Sequence, residues 1–275
     1  MKQMKMIGLD LDGTLLNEKK QLTEYSRNVL SRAIEKGIVV LVATGRPVTG
    51  VPKELLDFPG MRYVLTSNGG RILDMKENKV IYENPVPYEL AVKILQIFSD
   101  YDTLKEIYFD GCGYVQQSEL VRVHEFIQNP AMAEYILTTR MGIADVWEKM
   151  EEMKGHGLDK VHALFRNPEE RLAAKDRVQG LGELSVSDSL GRNLEINAPG
   201  VDKGQGLLKL GELLGISREE IMACGDGNND LAMIKTVGFG VAMANATEEV
   251  KQAADYITSS NDEDGVAKAI ERFVL

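Results

Sequence analysis

Short apolar runs that alternate with amphipathic segments are the feature that most restricts the fold of this chain. Residues 4–10 form an apolar run that ends in aspartate, and residues 22–37 carry apolar side chains at helical spacing, with Gly37 as a candidate helix end. Residues 38–45 begin with a continuous, largely β-branched run, which is typical of a strand buried on both faces. This order of strand, helix and strand predicts a parallel sheet whose strands are joined by right-handed crossovers.

The alternation stops near residue 84 and returns after residue 197. Between these points, helical and strand-like segments are mixed, which is typical of an α+β unit. We therefore predict an α/β fold in which residues 1–83 and 191–275 build a Rossmann-like parallel-sheet core. Residues 84–190 are predicted to form an inserted α+β domain.

Composition narrows the class of protein. The 275 residues carry a formal net charge of -10, which argues against a nucleic-acid binder or a protein of anionic membrane surfaces. Apolar runs are of strand size and much shorter than a membrane span. Cys112 and Cys224 lie far apart without CxxC spacing, and no secretory signal pattern precedes the first aspartates. We expect a cytoplasmic protein with reduced thiols.

Candidate ligand-binding residues, most of them polar, follow the predicted core strands at the edge where open α/β sheets bind ligands. Those after the first two strands are Asp10, Leu11, Asp12, Thr14, Thr44, Gly45 and Arg46. Those near the later part of the core are Lys203, Asp226, Asn229 and Asp230. The sequence therefore predicts one site where carboxylates, hydroxyl and amide groups and a lysine converge.

Carboxylates this close together require a cation. Two unit charges 4 Å apart repel by about 4 kcal/mol at an effective dielectric near 20. Oxygen ligands of this kind select a hard divalent ion, and we expect Mg²⁺ among Asp10, Asp12 and Asp226. Lys203, Thr44 and Asn229 are donors suited to the oxygens of a phosphoryl group.

This combination predicts phosphoryl transfer. Asp10 is the expected nucleophile, which would form an aspartyl-phosphate. Asp12, two residues further along an extended strand, is expected on the same face as Asp10. From there it would protonate the leaving group and later activate water.

The quoted residues resemble four motifs of the haloacid-dehalogenase (HAD) superfamily of phosphatases. DLDGTL at 10–15 resembles the first motif, TGR at 44–46 the second, Lys203 the third and GDGNND at 225–230 the fourth. The long insert lies between the second and third motifs, where the Cof-type subfamily carries its C2 cap. The resemblance implies that residues 84–190 are a cap that sets substrate specificity.

The resemblance also implies Mg²⁺-dependent hydrolysis of small phosphorylated metabolites, sugar phosphates in particular. It implies that Asp12 binds the metal through its backbone carbonyl, with Asp10 and Asp226 as the other protein ligands. Asp230 would support the water shell of the metal, and Thr14 would support the site. The Leu11 N–H and Gly45 would bind phosphate together with Thr44, Lys203 and Asn229.

Alternatives stay open at this point. An Asp-x-Asp pair by itself also occurs in glycosyltransferases and in plain acidic turns. Arg46 either contacts substrate or braces its loop. Asn68 either reaches the cleft or, as is more common for Asn-Gly-Gly, serves only turn chemistry. A phosphomutase or phosphotransferase would use the same aspartyl-phosphate, and a metabolite-binding protein would use the same fold without turnover. A receiver-like signalling domain is disfavoured because it has neither the second aspartate nor the long insert.

Overall fold

The computed structural model describes residues 3–189 and 191–275. Leu190, the predicted last residue of the insert, lies outside the described residues. Among the residues that are described, no helix is both long enough and apolar enough to span a bilayer.

The strands are numbered in chain order. They are β1 (Met6–Leu9), β2 (Val39–Ala43), β3 (Tyr63–Thr66), β4 (Arg71–Asp74), β5 (Lys79–Glu83), β6 (Thr103–Phe109), β7 (Cys112–Gln116), β8 (Arg140–Ile143), β9 (Lys160–Phe165), β10 (Ser185–Ser187), β11 (Asn193–Asn197), β12 (Ile221–Gly225), β13 (Phe239–Ala242) and β14 (Tyr256–Ile257).

The helices are numbered in the same way. They are α1 (Glu24–Glu35), α2 (Lys53–Leu56), α3 (Tyr88–Ser99), α4 (Gln117–Leu120), α5 (Val123–Phe126), α6 (Pro130–Thr139), α7 (Val146–Glu152), α8 (Pro168–Gln179), α9 (Lys203–Leu214), α10 (Leu231–Thr236), α11 (Glu248–Ala253) and α12 (Gly265–Phe273).

The chain divides into two compact units. The first comprises the segments up to Gly45, Pro52–Tyr82 and Asp202–Leu275. Its eight-stranded sheet has the order β14-β13-β12-β1-β2-β3-β4-β5. Neighbours from β14 to β3 pair in parallel, whereas β4 runs antiparallel to β3. The predicted α/β class with a Rossmann-like parallel core is confirmed.

Local sequence explains why the first helix of this unit begins and ends where it does. The Thr23 side chain accepts a hydrogen bond from the Ser26 N–H and caps the N-terminus of α1. Gly37, with φ +82°, takes the left-handed conformation just past the C-terminus, as the sequence predicts. Between these ends, Val29, Leu30 and Ala33 point to the core.

The second unit comprises Arg46–Val51 and Glu83–Val201. Its six-stranded sheet has the order β10-β11-β9-β6-β7-β8 and is mostly antiparallel, as expected for an inserted α+β unit. One face of this sheet contributes apolar side chains such as Ile107 and Val161 to a core shared with α3 and α8.

Several boundaries differ from the sequence predictions. Arg46–Val51 and Glu83, which were predicted to belong to the core, lie in the second unit. The segment 191–201 was predicted to belong to the core, but it lies in the second unit, because β11 pairs with both β9 and β10. Residues 48–58 contain only α2 and a short 3₁₀ turn, Val48–Gly50, because Pro52 can start a helix but cannot continue one.

Candidate active site

The sheet order brings three predicted strand ends together. β1 lies between β12 and β2, and all three run in parallel, so their carboxyl ends lie side by side. Asp10 follows β1 directly, and its N–H donates to the Cys224 carbonyl of β12 at 3.1 Å. Loops at this edge are the usual ligand sites of open α/β sheets, and the three strand ends meet there as the sequence predicts.

Lys203, the first residue of α9, lies at the centre of the site. Its side chain is fully buried, and its Nζ lies 2.6 Å from Asp10 Oδ1 and 2.7 Å from Asp230 Oδ1. Burial alone would lower the pKa of Lys203, but the Asp10 and Asp230 carboxylates outweigh this and raise it. The lysine therefore stays charged and fixes the orientation of Asp10.

Asp230 holds the loop that follows β12. Its Oδ2 accepts hydrogen bonds from the N–H groups of Asp226 and Gly227 at 2.9 and 3.0 Å, while its Oδ1 accepts from Lys203. A Cβ on Gly225 would lie 2.5 Å from the Asp230 Cβ, so glycine is required for this close approach. Asp230 thus fixes the loop and the lysine together, and its expected support of the metal's water shell stays a prediction.

Asp226 is positioned by the loop after β1. The Thr14 hydroxyl donates to Asp226 Oδ1 at 2.8 Å. Gly13 has φ +82°, and a Cβ there would lie 2.3 Å from Asp226 Oδ2. The Gly13-Thr14 turn therefore leaves room for the Asp226 carboxylate and orients it by one hydrogen bond.

The carboxylates of Asp10, Asp226 and Asp230 form a cluster in which the nearest oxygens all lie within 4.8 Å of one another. Burial and then the Asp230 carboxylate raise the pKa of Asp10 well above its usual range, although Lys203 lowers it. The same two causes raise the pKa of Asp226 to about 6. A divalent cation among these groups would reverse both shifts, because it stabilises the ionised forms.

Asp12 does not follow the extended geometry expected from the sequence. β1 ends at Leu9, and Asp12 lies in the following turn, where its backbone forms an isolated bridge with Leu16. Its carboxylate lies outside the three-carboxylate cluster and accepts a hydrogen bond from Lys20 Nζ at 2.6 Å. Sequence reasoning missed Lys20, because no local pattern distinguishes it from other lysines of a polar turn.

The predicted phosphate-binding residues lie on the loops at this edge. Leu11 is buried in the turn after β1, and Asn229 lies half-buried in the 3₁₀ turn Asn228–Asp230. Thr44 is buried directly after β2, where its N–H donates to the Leu65 carbonyl, and half-buried Gly45 follows it.

Arg46 belongs to the second unit. Its guanidinium donates to the Gly50 carbonyl at 2.8 Å and stacks on the Tyr135 ring at 4.1 Å. These contacts favour the bracing interpretation of Arg46. The phosphate-binding and metal-binding roles of the other residues stay predictions.

Comparison with known proteins identifies the family. The family model of haloacid dehalogenase-like hydrolases matches residues 7–270, which include every residue of the predicted site. The chain belongs to this family. It is a HAD-superfamily hydrolase of phosphate monoesters that acts on small phosphorylated molecules, and its Cof-type resemblance is confirmed.

Relatives and solved structures agree with this assignment. A curated relative is the 5-amino-6-(5-phospho-D-ribitylamino)uracil phosphatase YcsE of Bacillus subtilis, which is 31% identical over 99% of this chain and 96% of its own length. The structure of a haloacid dehalogenase-like hydrolase from B. subtilis matches with a TM-score of 0.87 and 30% identity over 98% of this chain and all of that chain. A sugar phosphatase of HAD subclass IIB matches with a TM-score of 0.82 and 25% identity over 98% of both chains.

Proposed function

We propose that this HAD hydrolase is a Mg²⁺-dependent phosphatase of sugar phosphates and related phosphorylated metabolites that works through an aspartyl-phosphate on Asp10. One observation carries the proposal. The Asp10 carboxylate is buried and lies against the fully buried ammonium of Lys203 in a cluster with two further carboxylates. The proposed nucleophile Asp10, the Lys203 ammonium that would bind phosphate oxygens and the carboxylates that would bind the metal thus lie close together.

The charge of the cluster supports a divalent cation. Three carboxylates meet one lysine there, which leaves two negative charges when all groups are ionised. Asp230 already uses both oxygens as hydrogen-bond acceptors, so Asp10 and Asp226 are the side chains that would hold Mg²⁺. The predicted third protein ligand is the Asp12 carbonyl. When bound, Mg²⁺ would neutralise charge on the phosphoryl oxygens.

In the proposed transfer step, a carboxylate oxygen of Asp10 attacks phosphorus and forms a bond to it. The bond between phosphorus and the leaving oxygen breaks, and Asp12 gives a proton to that oxygen. Lys203 fixes the orientation of Asp10 through their 2.6 Å contact and stabilises charge on the transferred group.

In the proposed hydrolysis step, water attacks the phosphorus of the aspartyl-phosphate. Asp12 takes a proton from this water, and the bond between phosphorus and the Asp10 oxygen breaks to release inorganic phosphate. The Asp12 carboxyl regains the proton that it lost in the transfer step, so the site returns to its starting state.

The substrate class rests on the relatives. One is named as a phosphatase of a phosphorylated ribityl compound and another as a sugar phosphatase, so we propose a phosphorylated sugar or polyol. We also propose that the second unit, Glu83–Val201 with Arg46–Val51, sets substrate specificity. A cytoplasmic location is proposed because neither Cys112 nor Cys224 forms a disulfide bond.

Phosphate release by the purified protein tests the proposal. The panel is p-nitrophenyl phosphate, pentose and hexose phosphates and 5-amino-6-(5-phospho-D-ribitylamino)uracil, each with Mg²⁺ and with EDTA. We expect release with Mg²⁺ and its loss with EDTA. Asp10→Asn should abolish release, because a neutral amide does not attack phosphorus, whereas the exposed-site control Asp57→Asn should keep full activity.

Two outcomes would contradict the proposal. Substantial turnover by Asp10→Asn would remove Asp10 as the nucleophile. Release that is unchanged in EDTA would remove the metal.

A further inference from the structure

The turn between β1 and α1 holds the Asp12 carboxylate by a side chain that the catalytic motifs do not include. Lys20 Nζ lies 2.6 Å from Asp12 Oδ1, and both side chains are about one-third exposed, at 33% and 30%. Ion pairs at this exposure contribute little to stability. Stability therefore does not explain why this lysine is fixed in place.

The backbone of Lys20 is strained. Its φ is +60°, in the left-handed region that residues with a Cβ rarely adopt. The turn is closed by the Lys20 N–H, which donates to the Asn17 carbonyl at 2.8 Å, and by Gln21, whose N–H donates to Asn17 Oδ1 at 3.0 Å. These hydrogen bonds hold Lys20 in the conformation from which its side chain reaches Asp12.

The C-terminal part of the same unit anchors the turn. The Glu18 N–H donates to Asp262 Oδ1, and Asn261 Nδ2 donates to the Leu16 carbonyl, both at 2.9 Å. Asn245 Nδ2 donates to the Gly13 carbonyl at 2.8 Å. The chain between Asp12 and Lys20 is therefore fixed, and so is the position from which Lys20 reaches Asp12.

We propose that Lys20 is a positioning residue that orients the Asp12 carboxylate for hydrolysis of the aspartyl-phosphate. Lys20 donates to Oδ1 and so fixes the orientation in which the carboxylate takes the proton from the attacking water. In this step the new phosphorus–oxygen bond to water forms, the bond to the Asp10 oxygen breaks, and Lys20 keeps its own protons. The inference rests on the proposed function, because it assigns Lys20 a part in the hydrolysis step of that function.

Exchange of ¹⁸O-labelled inorganic phosphate with water isolates the hydrolysis step. Inorganic phosphate forms the aspartyl-phosphate by the reverse of hydrolysis and returns with oxygen from water, so no leaving group takes part. The value of kcat/KM for p-nitrophenyl phosphate reports the steps up to departure of p-nitrophenolate, which leaves as a stable anion without a proton from Asp12. The two measurements together separate hydrolysis from transfer.

Lys20→Met removes the charge and keeps an unbranched side chain under the same backbone conformation. We expect oxygen exchange to slow about tenfold, whereas kcat/KM for p-nitrophenyl phosphate should change by less than about twofold. The tenfold loss is part of the rate acceleration that a positioned general base contributes. Lys20→Arg should restore most of the exchange, because it also donates to a carboxylate. The matched control is Lys19→Met, at the exposed neighbouring lysine, which should exchange like the wild type.

The failures are distinguishable. The role of Lys20 would be overturned if Lys20→Met exchanged oxygen at the wild-type rate. It would also be overturned if the variant lost oxygen exchange and kcat/KM equally, since that result indicates general damage to the site. A wild-type protein that releases phosphate without oxygen exchange would contradict the covalent intermediate and Lys20 with it. A wild-type protein that releases no phosphate from any panel member would refute the proposed function itself.

Discussion

Replacement of Lys203 by methionine tests the charge balance of the site most directly. The ammonium lies 2.6 Å from Asp10 Oδ1 and 2.7 Å from Asp230 Oδ1, and its side chain is fully buried. Methionine has a similar length and no charge, so the variant leaves two buried carboxylates without their cation. We expect a loss of both stability and activity.

The size of the stability loss follows from burial. Removal of one partner of a buried ion pair costs about 3–5 kcal/mol, because the remaining charge stays desolvated. For a domain of this size, that corresponds to a melting temperature lower by about 6–20 °C in EDTA. Mg²⁺ should reduce the loss, since a divalent cation supplies part of the missing positive charge. Activity should fall about 10²–10³-fold, as for removal of one group that stabilises transition-state charge.

Calorimetry in EDTA and in Mg²⁺ measures the first effect, and phosphate release measures the second. The matched control is Lys209→Met on the same helix, where the lysine is 38% exposed and pairs with Glu212 at 2.7 Å. A surface pair of this kind contributes at most about 1 kcal/mol. If Lys203→Met melts no lower than Lys209→Met in EDTA, the interpretation of Lys203 as the counter-charge of the cluster is wrong.

Three further predictions address the same site. In EDTA, the melting temperature should fall as the pH rises from about 5 to 7, because the pKa of Asp226 is raised to about 6 in the folded state and its protonated form favours folding. Saturating Mg²⁺ or Asp226→Asn should remove most of this decrease in melting temperature. A melting temperature that does not change with pH in EDTA would contradict the raised pKa of Asp226. Gly13→Ala should lose Mg²⁺-dependent activity by more than tenfold, because its Cβ would lie 2.3 Å from Asp226 Oδ2. The control Gly37→Ala has the same φ of +82° but open space around the added Cβ, so it should lose stability only. Asp10→Asn should melt no lower than the wild type in EDTA while lacking turnover, because it removes a buried charge; a large drop would show that Asp10 is needed for folding.

Much of the fold could be predicted because its elements are defined by local patterns. The apolar run at 38–45 became β2, the helical spacing at 22–37 became α1, and the alternation after residue 197 became the strands and helices from α9 to α12. In contrast, β4 and β5 were not singled out. They extend the sheet beyond β3, and their pairing is decided by the neighbouring strand rather than by a pattern of their own.

The site was predictable to the extent that it follows strand ends. Asp10, Thr44 and Asp226 lie at the ends of parallel neighbours, and strand order alone brings them to one edge. The carboxylate of Asp12 was not predictable in the same way. Its orientation depends on a turn that leaves the strand after Leu9 and on its contact with Lys20, and neither follows from spacing in the sequence.

The sequence by itself determined the α/β class and the order of the HAD motifs, and it predicted a cation among the aspartates, because periodicity and charge are local properties. Only the tertiary structure decided which charges meet. Lys203 reaches Asp10 across 193 positions of the chain, and Thr14 reaches Asp226 across 212. Such contacts exist only after the parallel sheet has formed, since strand pairing rather than chain proximity brings their atoms within hydrogen-bonding distance.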